Sequence, residues 1–169
     1  MAEPTQKGSH SSRSGNQRVL LCVVDDSEEL SVALEFASLR ARRTNARVAL
    51  LYVIDKPTEF QHWASIGDLM REEARDEAEQ RLQRAAAQVQ RWSGKMPILY
   101  IREGPESEEV IKLVEEEPDI SILVLAASVD PQGPGPLVSS LTGKSIGRMR
   151  VPIVIVPGNL SDEELELLA

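Results

Sequence analysis

Residues 120–157, ISILVLAASVDPQGPGPLVSSLTGKSIGRMRVPIVIVP, encode a strand, a loop, a helix and a strand in that order. In an open α/β sheet this order builds an anion site. Amides of the loop and of the next helix point at phosphate oxygens, and glycine lets the backbone come close. The groups available here are the hydroxyls and amides of Ser139 and Ser140, with Gly133 and Gly135 able to shape a different anion-binding turn. Against that chemistry stand Asp130, a negative charge facing the phosphate position, and Val129, whose branched Cβ resists close approach and positive φ. No Lys or Arg lies between Ala127 and Thr142. Pro134 and Pro136 lack amide donors, so QGPGP reads as a stiff surface loop. Gly143-Lys144-Ser145 imitates the end of a Walker A loop, but that motif requires glycine at position 138, which is Val138.

Other reactive residue types are sparse. His10 and His62 are the two histidines, one in a polar N-terminal segment and one in a connection, and they assemble neither a metal cluster nor a Ser/His/Asp arrangement. Cys22, the single cysteine, lies in the apolar run RVLLCVV, so an interior thiol is expected and an intramolecular disulfide is impossible. Glu115, Glu116 and Glu117 read as a solvated charge run. No catalytic residue and no metal ligand is assigned.

These residues must be positioned by alternating strands and helices. Short Val/Ile/Leu-rich runs predict strands at about 18–24, 47–54, 97–101, 120–126 and 152–156. Between them, residues 27–43 predict a helix capped by Asp26 with Glu29 completing a capping box, and with Arg40, Arg42 and Arg43 in its last turn. A longer helix carries Ile66, Leu69, Met70, Ala74, Ala78, Leu82, Ala85, Val89 and Trp92 at three- and four-residue steps. Pro105 suits the first turn of a third helix that Pro118 stops, and a fourth is expected over about 139–149. Ser161 and Glu164 form a capping box opening SDEELELLA, whose Leu165, Leu167 and Leu168 call for packing on the domain or on a partner. Residues 1–17 read as a polar, mobile tail, 18–157 as one domain and 158–169 as a short acidic helix.

Five strands separated by helices predict an α/β fold, with a mostly parallel sheet and helices on both faces. Ligands bind such sheets beyond the carboxyl ends of the strands, here residues 25–27, 53–56 and 126–130. Of the 169 residues, 41% are apolar and 4% aromatic, which suits a core of small branched side chains. A net charge of −8 argues against nucleic-acid or anionic-membrane partners. No apolar run approaches the roughly 20 residues of a membrane span, and the N-terminal segment has no apolar core of a signal peptide, so a cytoplasmic location is expected.

Taken in order, VLLCVVDDSEELSVALEFA, VALLYVID, DISILVLAAS and VPIVIVP resemble the universal stress protein family over about residues 18–157. The resemblance implies a Rossmann-like, adenine nucleotide alpha hydrolase-like sheet in the order 3-2-1-4-5. It also implies a homodimer that pairs last strands, here from Val151 to Val156, unless the C-terminal helix covers that edge. ATP-binding members carry Gly, two residues, Gly, nine residues, then Gly-Ser or Gly-Thr. The matching positions here are Ala126, Val129, Ser139 and Ser140, so the spacing is kept while all three glycines are replaced. Asp25 and Val53 match positions that contact adenine. The resemblance therefore points to the branch that does not bind ATP, with no cofactor expected and a non-enzymatic role in stress response through protein contacts. Two alternatives remain: an ATP- or AMP-binding module with sensing or slow hydrolysis, resting on Asp25, Val53, Ser139 and Ser140, or a small-ligand pocket in the same cleft.

Overall fold

The computed structural model describes residues 17–55 and 64–169. Five strands, β1 (Val19–Val23), β2 (Arg47–Ile54), β3 (Ile98–Glu103), β4 (Ile120–Ala127) and β5 (Ile153–Pro157), form one sheet in the order β3-β2-β1-β4-β5. Every neighbouring pair is parallel. The helices are α1 (Leu30–Arg43), α2 (Ala64–Ser93), α3 (Glu106–Glu116), α4 (Pro136–Thr142) and α5 (Asp162–Leu168), with a 3₁₀ turn at Ile146–Arg148. The fold class and strand order thus agree with those expected.

β1 lies mid-sheet and is buried along its whole length. Alternation along it separates two cores. Leu20, Cys22 and Val24 pack with α1 and α2, while Val19, Leu21 and Val23 pack with α3 and α4. Cys22 is buried as expected, and burial pushes its thiol up to about 12.

Several local expectations are corrected. α1 starts at Leu30, with Glu29 at its N-cap and no side-chain cap, so Asp26 does not close a capping box. Asp25 instead accepts from the Ser27 amide at 2.9 Å and the Ser27 hydroxyl at 2.6 Å, tying the chain into a turn before the helix begins. In α2 the apolar stripe is buried only from Ala78 onward; Leu69 and Met70 are exposed. Thirty residues span about 45 Å, against about 20 Å for the six-residue β3, so the first turns of α2 outrun the sheet. The Ile66 side chain and all of residues 1–16 and 56–63, which include His10 and His62, lie outside what is described.

α4 runs over Pro136–Thr142, earlier than expected and shorter. Pro136 presets the helical φ at the first turn, and Gly135 supplies the preceding positive φ of 104°. Gly143 ends the helix. The sequence pattern hid this start because two prolines beside two glycines read as loop. α5 is capped as expected: the Ser161 hydroxyl accepts from the Glu164 amide at 3.3 Å, and the Glu164 carboxylate accepts from the Ser161 amide at 2.9 Å. It packs on α1 within the chain. Leu165 and Ala169 are buried in the α1-side core, and Arg43 donates to the Ala169 and Glu166 carbonyls and to the Glu166 carboxylate. Leu167 is 83% exposed and Leu168 59% exposed.

Candidate functional site

Strand order reverses between β1 and β4, and the chain leaves their carboxyl ends in opposite directions across the sheet. A cleft of about 180 Å³ opens there, floored by Val23, Leu125 and Ala126 and walled by Leu137 and Val138 of α4. Its polar groups are Asp25 and Ser27 from the β1–α1 turn, Glu29 at the start of α1, Glu106 at the start of α3, and Ser128 after β4. Among the described residues, three carboxylates line it and no Lys or Arg does.

Each carboxylate is held by local structure. The Asp25 turn already described uses one of its oxygens on Ser27. The Glu29 carboxyl pKa is lowered from its ordinary value because its own backbone amide, then the Ser128 and Ser27 hydroxyls, donate to it. Glu106 goes the other way: burial raises its pKa, and the negative charges of Asp25 and Asp55 raise it further. Gly158 closes the far side. Its amide donates to the Ala127 carbonyl at 2.9 Å, and a Cβ there would collide with the Glu29 side chain.

The loop after β4 folds onto itself. The Ser128 amide donates to the Pro134 carbonyl at 3.3 Å, the Asp130 amide to the Ser128 hydroxyl at 3.2 Å, and the Gly133 amide to the Asp130 carbonyl at 3.0 Å. Those three donors are spent inside the loop. A phosphate cradle needs such amides turned outward to the ligand.

Of the residues singled out from sequence, the cleft gathers Asp25, Ala126 and Gly135. Val53 is half-buried in the α3-side core, paired in register with Arg102, and does not line the cleft. Val129 is 56% exposed on the loop, also outside the lining. Ser139 and Ser140 stand inside α4 and not at its N-terminus, because the helix begins at Pro136. The Ser139 amide and hydroxyl both donate to the Gly135 carbonyl, at 3.1 and 2.9 Å. No ligand role was read from the sequence for the lining residues Glu29, Glu106, Leu137 and Val138, whereas Ser128 falls in the expected strand end 126–130. For Glu106 a signal existed: it follows Gly104-Pro105 at the carboxyl end of β3, the edge where α/β sheets bind ligands.

On the opposite side of the β1–α1 turn, Arg81 of α2 pairs with Asp26 and with Glu77, and its guanidinium lies 5.9 Å from the Tyr52 ring centroid. This ties α2 to the turn that carries Asp25. Among the described residues, no group of three His, Cys, Asp or Glu side chains is placed to hold a metal.

An all-parallel sheet with helices on both faces and a crevice at the strand-order reversal defines a doubly wound α/β domain. The sequence profile of the universal stress protein family matches residues 16–157, and the chain belongs to that family. Among solved structures it is similar to universal stress protein UspA from Lactobacillus plantarum, with a TM-score of 0.69 and 17% identity over 85% of this chain and 99% of that one. It is also similar to a universal stress protein from Archaeoglobus fulgidus solved in complex with dAMP, with a TM-score of 0.58 and 14% identity over 82% and 96% of the two chains. Another universal stress protein, solved in complex with cAMP, aligns at a TM-score of 0.58 and 14% identity over 85% and 98%. A search of curated proteins by sequence gives no match.

Proposed function

We propose that this chain is a universal stress protein of the kind that works without nucleotide, as a non-enzymatic dimer acting in stress response through protein contacts. The observation that carries this reading is the cleft lining: Asp25, Glu29 and Glu106, with no cation among the described lining residues. An anionic phosphate entering there meets like charge in a partly desolvated site, where repulsion is stronger than in water. The cleft's 180 Å³ is also small for a nucleotide, since pockets for ligands of that size measure about 300–1,000 Å³. The rival reading is a nucleotide module, as in the relatives solved with dAMP and cAMP.

Thermal unfolding with ATP, AMP, dAMP and cAMP at millimolar concentration separates the two. A ligand present at 100 times its Kd stabilises by about 2.7 kcal/mol, a rise in Tm of about 5–10 °C for a domain of this size. No rise is expected here; a saturable rise with any of the four would sink the reading. The dimer rests on β5, an edge strand bonded to β4 alone within the sheet, with Ile155 exposed. Light scattering should give twice the chain mass, and Ile155→Lys should give the chain mass.

A further inference from the structure

The geometry points to a second binding site, for a short aliphatic carboxylate, in a crevice between α1, the sheet and α5. The crevice measures about 200 Å³ and is lined by Leu20, Phe36, Ile122, Val124, Val154 and Leu168, with Arg40 its one charged residue among those described. It shares no lining residue with the cleft at Asp25 and lies on the α1 side of the sheet, where Leu20, Val124 and Val154 point. One wall belongs to this chain's own extension: Leu168 stands in α5, beyond the family match that ends at residue 157.

Size, polarity and charge specify the ligand. α5 is seven residues long, about 10 Å, too short to cover the β4–β5 part of this face, so a gap remains under its last turn. An apolar cavity of about 150 Å³ stays dry and takes up benzene, so this one suits a chain of about six to eight carbons. Arg40 selects the head group. Its neighbours Arg42 and Arg43 are both engaged by Glu166, while the Arg40 guanidinium has no ion pair or hydrogen bond among the described residues. An exposed, unpaired guanidinium at the rim of an apolar slot fits a carboxylate, whose two oxygens match its paired donors. The other nearby acid, Glu35, faces Asp162 and Glu166 of α5, and these like charges raise its pKa after burial does.

Titration calorimetry with octanoate and with octan-1-ol tests the assignment on the full chain. Octanoate should bind saturably, one per chain. Arg40→Gln should weaken octanoate about tenfold and leave octan-1-ol unchanged, the effect of one charge-assisted contact. Leu168→Trp should abolish both by filling the slot. Leu168 is 59% exposed and Arg40 is exposed, so both variants should keep the wild-type unfolding temperature. No saturation by about 1 mM octanoate would overturn the site, as would binding that survives Leu168→Trp. A change in oligomeric state on Leu168→Trp without octanoate binding would show that a second copy covers this face, and would equally overturn it.

Discussion

Leu165→Ala tests whether α5 is part of this domain or an appendage. Leu165 is 1% exposed and belongs to the same core cluster as Ala33, Leu34 and Ala37 of α1. Truncating a buried leucine to alanine costs about 2–5 kcal/mol, at the lower end where the surroundings can relax, as beside a short terminal helix. What remains to hold α5 is its capping box, worth about 1 kcal/mol, and the Arg43 contacts to Glu166 and Ala169, which are partly exposed and so screened. Ordering each residue of the helix costs about 1–2 kcal/mol, so the net docking energy is small and Leu165 carries much of it. Native-state hydrogen exchange reads this directly at the amides of Leu165 and Ala169, which donate to Ser161 and Leu165. A loss of about 2–3 kcal/mol should speed their exchange about 30- to 150-fold, with β1 and β4 far less affected. Unchanged protection in α5 would refute the reasoning, because burial of Leu165 would then not be what docks the helix.

Three further outcomes follow from the cleft. The Glu106 carboxyl is held above its ordinary value of 4.5, so the folded state favours its protonated form. Its contribution is therefore present at low pH and is lost as pH rises from the unfolded value through the raised folded one. Glu106→Gln should match wild type near about pH 4 and be the more stable protein at pH 7, read by urea denaturation at both. Gly158→Ala places a methyl group against Glu29, with the Glu29 Cβ at 2.8 Å and the Ala127 carbonyl at 3.2 Å. Displacing the first turn of α1 should cost about 1–3 kcal/mol, seen as a lower denaturation midpoint with unchanged slope. Val129→Gly should leave nucleotide affinity unchanged in calorimetry, because Val129 faces solvent and does not line the cleft; a gain in ATP binding would show that this loop does reach the ligand.

Short-range pattern was enough to place five apolar runs and the helices between them, and the family resemblance set their order. β2 matches its expected bounds of 47–54. The capping box of α5 was readable because Ser161 and Glu164 are three residues apart, so the geometry that joins them is local. Asp25 was readable as a strand-end residue for the same reason. One local pattern failed, the Asp26–Glu29 box expected for α1, and with it inferences that depended on how distant segments meet. Leu69 and Met70 keep helical spacing, but whether a stripe is buried depends on how far the sheet reaches beneath it.

The loop after β4 shows the division most clearly. The sequence by itself determined that three glycines are missing at Ala126, Val129 and Ser139 and that no Lys or Arg lies between Ala127 and Thr142, and these are statements about residue order that no fold can change. Only the tertiary structure decided that Val129 turns to solvent, that Ser139 spends its donors on Gly135, and that Glu29 and Glu106 converge on Asp25. Those two glutamates come from elements about 80 residues apart, brought to one crevice by parallel strands ending on the same edge of the sheet. Charge at a site is the sum over every chain segment that reaches it, and that sum is not written in any one of them.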